Sequence, residues 1–209
     1  MGWTGFAEYV GKRAMALAAS LALLLALSGD VWAESPTQTL QGVFAAVNRV
    51  LGNPELQGKP QELFGAIHNV MNATFDFREA ARLAMGREWE ARTTSERDEF
   101  VQLFAALLER AYMSQMSSRA GAQDGLAIRY LGESVEGNRA TVATVMGHRG
   151  GKEIPLEYRM IQDGERWAVY DVEVGGMSLV ASYRAQFAKV IRQSSYAELV
   201  VRLKGTQGN

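Results

Sequence analysis

Two histidines, no cysteine and a scatter of carboxylates limit the chemistry open to this 209-residue chain. Without cysteine there is no disulfide, no thiolate nucleophile and no Cys-ligated zinc or iron–sulfur centre. His68 and His148 stand apart and in no ligand spacing of the H-E-x-x-H kind, so a metal site or a triad would lean on one of them. Ser178 lies in Gly175-Gly176-Met177-Ser178-Leu179-Val180, where Val180 replaces the second glycine of a nucleophile elbow, and a helix N-cap suits it better. Asp171, beside Tyr170, could transfer a proton as a buried acid; the plainer roles are capping a neighbouring segment or pairing with an arginine. Tyr183 and Arg184 are sharper candidates. A tyrosine there suits a pocket mouth, and a guanidinium can grip a phosphate bidentately. Core packing and an ion pair are their plain alternatives.

With 22 Lys+Arg against 23 Asp+Glu, the net charge of -1 gives no field able to hold a polyanion, and nucleic acid is not an expected partner. Arg78, Arg82, Arg87, Arg92, Arg97, Arg110 and Arg119 make one stretch locally basic, but acids interleave, so this reads as a solvated face or a docking surface. His68 falls beside an apolar helical stripe and His148 at a hairpin tip. No metal and no cofactor are expected.

Residues 1–33 differ from the rest. Lys12 and Arg13 precede an apolar run from Ala14 to Leu27, and Val31-Trp32-Ala33 offers a small-x-small cleavage site, which together read as a signal peptide cut after about Ala33. At about 1.5 Å per residue the run covers about 21 Å, short of a hydrocarbon core of roughly 30 Å. The expected domain is therefore 34–209, exported, and the absence of cysteine fits the bacterial periplasm best.

Within 34–209 the period changes twice. Leu40, Val43, Phe44, Val47, Val50 and Leu51 mark a helix over about Thr37–Leu51, and Leu63, Phe64, Ile67, Val70 and Met71 a second one after Pro60. Asp76 with Glu79 opens a third that stops at Gly86, and Thr93 with Glu96 forms a capping box for the longest. That helix carries Phe100, Leu103, Phe104, Leu107, Leu108, Ala111, Tyr112 and Met116 on one face and Arg97, Asp98, Glu109 and Arg110 on the other. Near 121–125 the period becomes two. Ile128–Val135, Arg139–His148, Lys152–Gln162 and Glu165–Val174 read as four strands joined by tight turns, hence an antiparallel meander. Ala140, Val142, Thr144 and Met146, with Ile154, Leu156, Tyr158 and Met160, share one face. After Gly175-Gly176 the helical period returns through Leu179, Val180, Tyr183, Phe187, Val190 and Ile191, then Tyr196, Leu199, Val200 and Leu203. The class is α+β: a helical part over about 36–120, a sheet over about 127–174 and C-terminal helices over about 178–204.

Gly86 and Trp89 before the Thr93 cap, Trp167-x-x-Tyr170-Asp171, and Gly176-x-Ser178-Leu179 leading to Tyr183-Arg184-x-x-Phe187 resemble the MlaC, or toluene-tolerance, family of periplasmic lipid carriers over nearly all of 34–209. The resemblance implies an NTF2-like four-stranded sheet packed with helices around an apolar pocket for phospholipid acyl chains. It also implies a passive shuttle, not an enzyme, between an inner-membrane ABC transporter with an MCE subunit and an outer-membrane lipoprotein–porin complex. A hopanoid-associated branch has the same outline. Other readings are an NTF2-like enzyme using Asp171 and an envelope adaptor with a filled core.

A carrier must hide tens of methylenes at about 0.8 kcal/mol each, which calls for a wide dry wall. With the resemblance, Phe104, Leu108, Tyr112, Val142, Met146, Leu156, Tyr158, Met160, Val172, Met177, Leu179, Tyr183 and Phe187 become the expected lipid-binding residues, and Arg184 the headgroup candidate. Periodicity alone does not separate such a wall from a filled core.

Overall fold

The computed structural model describes residues 34–117, 127–147 and 153–205, with side chains of 111–117 and Ala127 excepted. The signal segment, Arg119, His148 and the 149–151 turn lie outside the described residues. Six helices and one sheet follow in order: α1 Pro36–Leu51, α2 Pro60–Thr74, α3 Phe77–Met85, α4 Thr94–Ser117, β1 Ala127–Glu136, β2 Arg139–Gly147, β3 Ile154–Asp163, β4 Arg166–Val174, β5 Met177–Ser178, α5 Leu179–Gln193 and α6 Tyr196–Gly205. Among the described residues no helix is long and apolar enough to cross a membrane.

Local capping sets the helix starts. Ser35 and Gln38 form a capping box ahead of Pro36, and Glu133 of β1 accepts the Thr37 amide at 2.8 Å, placing a carboxylate on the positive end of α1. Asp76 accepts the Glu79 amide at 2.8 Å to open α3. Thr93 and Glu96 exchange the two bonds of the expected box for α4. Ser178 Oγ accepts the Ala181 amide at 2.9 Å and caps α5, as its setting predicted. α3 stops where Gly86 turns to φ 57°, which a side chain would resist.

The sheet is antiparallel throughout in the order β1-β2-β3-β4-β5. The expected four-stranded meander is thus corrected to five strands. Gly175 and Gly176 both take positive φ and fold Met177-Ser178 back onto Glu173 and Val174. Two residues carry no readable period, so the fifth strand has no signature in the sequence. Register slips occur in β1 around Leu131 and in β4 at Tyr170.

Three apolar clusters form. One fills the space among α3, α4, α5 and α6 around Phe100 and Phe104. A second lies between α1 and the sheet around Val142, Tyr158 and Met160. A third joins Ile67 and Met71 of α2 to Phe77, with Val101, Ala105 and Leu108 of α4 packed against it. The α2–α3 joint is tied to β4 by the Asp76 amide, which donates to Val169 at 2.8 Å, and α3 to β2 by Arg139 on Glu79 at 2.8 Å.

Candidate functional site

The inner face of the sheet is written in register. Val142, Tyr158 and Val172 lie in one cross-strand row, Thr144, Leu156 and Val174 in the next, and Met146 faces Ile154 at the end. Apolar neighbours across strands favour such rows. Val142 and Met160 are fully buried, Leu156 and Tyr158 nearly so, whereas Met146, Ile154, Val172 and Val174 stay half-buried. Thr144, 1% exposed, donates its hydroxyl to the Leu156 carbonyl, so the face holds no unpaired polar group at its centre. α1 crosses this face with Leu40 and Phe44, the latter edge-on to Tyr158 at 5.7 Å. Six expected wall residues, Val142, Met146, Leu156, Tyr158, Met160 and Val172, therefore meet on one surface.

Tyr130 and Phe44 belong to the same surface and are not among the expected wall residues. In β1, Tyr130 pairs with Thr144, but after the bulge Glu133 pairs with Val142, so strict alternation breaks where it would have been read. Burial pushes the Tyr130 hydroxyl above its ordinary range.

The other expected wall residues lie elsewhere. Phe104, Tyr183 and Phe187 join Phe100 in the helical cluster, with ring centroids 5.4 to 5.9 Å apart, edge-to-face or stacked. Burial raises the Tyr183 hydroxyl. Leu108 lies between this cluster and the α2 cluster. Met177 and Leu179 are at the surface, 69% and 39% exposed, and the Tyr112 side chain lies outside those described.

Arg184 is exposed and makes no ion pair among the described residues; it rests on the backbone of Gly86, where a Cβ would fall 2.9 Å from its Nε. Asp171 is 5% exposed and both its oxygens are engaged: Oδ2 accepts the Ser178 hydroxyl at 2.6 Å, Oδ1 accepts the Val180 amide at 3.0 Å, and Arg159 stands 3.6 Å away. It is the capping acid and the arginine partner at once. Arg78, Arg82, Arg92 and Arg97 are each ion-paired.

The family profile described as MlaC protein matches residues 41–205. No curated protein matches the sequence. Among solved structures, the fold is similar to that of a phospholipid-binding protein from Ralstonia solanacearum in complex with a phospholipid, with a TM-score of 0.69 and 24% identity over 80% of this chain and 93% of that one.

Proposed function

The chain belongs to the MlaC family, and from that premise we propose that it is a lipid carrier, holding phospholipid acyl chains against the inner face of the sheet. The observation that carries this reading is the graded burial of the cross-strand rows: sealed at Val142 and Met160, half-buried at Met146, Ile154, Val172 and Val174. An apolar face that is sealed over part of its extent and only half-buried over the rest suits a chain-binding wall, and the thioether of Met146 adapts to chains of varied shape. The engagement of Asp171 on both oxygens supports binding over catalysis. In this reading the protein works in the periplasm after loss of residues 1–33. It exchanges lipid with an inner-membrane ABC transporter bearing an MCE subunit and with an outer-membrane lipoprotein–porin complex. Arg184 is the candidate for a headgroup phosphate.

The test is mass spectrometry of a solvent extract of the protein purified from its own host. Co-purified phospholipid is expected, and Met146→Trp, which fills the half-buried part of the wall, is expected to reduce it severalfold with stability changed by about 1 kcal/mol. A protein that carries no lipid and takes none from vesicles would overturn the reading. A polycyclic lipid in the extract would keep the carrier and change its cargo.

A further inference from the structure

The long helix α4 was read with Glu109 on its outward face; the structure corrects this. α2 covers that flank, and Glu109 is 6% exposed. Its Oε2 accepts from His68 Nδ1 at 2.7 Å, while Oε1 is buried without a hydrogen-bond partner. Asn72 Nδ2 lies 2.7 Å from His68 Nε2. With the amide nitrogen placed facing that ring atom, Nε2 accepts from Asn72 and Nδ1 donates to Glu109. No Lys or Arg among the described residues pairs with Glu109. A buried carboxylate oxygen lacking a donor is costly, and a cationic N–H is the donor that restores most.

The surroundings suit an amphiphile. Phe64, 40% exposed, stacks on the His68 ring at 6.4 Å, and the His68 side chain is itself 43% exposed, so the α2 side of the contact reaches solvent. Leu108 and Ala105, just before Glu109, pack with Ile67 and Met71 into an apolar floor.

We propose that the α2–α4 seam binds a primary ammonium through Glu109 Oε1, and that in the carrier this is the amine of an ethanolamine-type lipid headgroup. Identifying the ammonium with a lipid rests on the carrier reading above; the ammonium site itself does not. Glu109 fixes the amine, His68 orients Glu109, and the selectivity arises because an anionic or hydroxylated headgroup brings no cationic N–H to Oε1.

Two measurements on the 34–209 protein test this. In the first, vesicles with equal phosphatidylethanolamine and phosphatidylglycerol are offered and the bound lipid is extracted; about tenfold enrichment of the amine lipid is expected, lost in Glu109→Gln. In the second, the imidazole resonance of His68, assigned with a His148→Gln variant, is followed by NMR during titration with soluble glycerophosphoethanolamine or glycerophosphoglycerol. A saturable shift is expected with the amine alone, and none in Glu109→Gln. Lipid bound without preference, with His68 unmoved, overturns the ammonium site and leaves the carrier standing. No lipid bound, but an amine-specific His68 shift, keeps the site and removes the carrier. Equal shifts with both headgroups, or a shift that survives in Glu109→Gln, overturn the site. Should that variant unfold, the wild type decides: a choline headgroup, cationic but without N–H, must lose the enrichment, and keeping it overturns the proposal.

Discussion

The aromatic cluster of the helical part and the inner face of the sheet draw on the same kinds of side chain, yet they end differently. Around Phe104 every ring finds another ring of the chain, with Phe100, Tyr183 and Phe187 within 5.4 to 5.9 Å. The inner face of the sheet ranges from Val142 and Met160, fully buried, to Met146, Ile154, Val172 and Val174, which are half-buried. Residue type does not distinguish a core from a wall; the cover laid over it does. Four helices, α3 to α6, pack around the first surface, whereas α1 covers the second through Leu40 and Phe44.

This contrast makes Phe104→Ala the most damaging of the changes considered. It is expected to cost about 3 to 5 kcal/mol in urea unfolding, because it opens a hole among interlocked rings. Lipid bound per folded molecule should stay the same, and if lipid were lost instead, the wall would extend into the helical cluster. Next in size, Gly86→Ala should cost about 1 to 3 kcal/mol, since φ 57° and the Arg184 guanidinium both oppose a Cβ. Adding Arg184→Ala should restore only the steric share, and full restoration would mean that backbone strain contributes nothing.

One link between the two parts is the Glu79 cluster. The Arg82 guanidinium, bonded at 2.7 and 2.8 Å, holds the Glu79 carboxyl below its ordinary value; burial opposes this and Arg139 adds to it. A depressed carboxylate contributes its stability in full above the ordinary value of 4.5 and loses it as pH falls through the folded value. Glu79→Gln is therefore expected to remove about 1 kcal/mol at neutral pH, as both arginines remain half in water, and to flatten the acid limb of a thermal-unfolding pH series. An unchanged acid limb would show that the parts are joined without it. Arg184→Ala alone should be smallest, within about 0.5 kcal/mol, because the side chain is exposed and makes no ion pair among the described residues. A fall in bound phospholipid at that unchanged stability would mark Arg184 as a phosphate contact.

Most elements were legible because their signals are local. Asp76 and Glu79, Thr93 and Glu96, and Ser178 and Ala181 each act over three residues, so the starts of α3, α4 and α5 stand in the sequence. The alternation of Val142 and Met146 in one strand and of Leu156, Tyr158 and Met160 in the next likewise put them on one face, and the resemblance made them, with Val172, expected wall residues. Tyr130 escaped because a bulge shifts β1, and β5 because two residues make no pattern. Phe104, Tyr183 and Phe187 had the right periodicity, but whether a helix face meets another helix or an open wall depends on neighbours far along the chain.

The amino-acid order alone determined the α+β class, the helix starts, the sheet face and the family resemblance, since short-range hydrogen bonding and side-chain period decide these. Tertiary structure decided which apolar surface is sealed, that Asp171 serves Ser178, Val180 and Arg159 together, and that Glu109 is buried on His68, 41 residues away. Burial is a property of what packs on a residue from elsewhere in the chain, and no window of the sequence contains it.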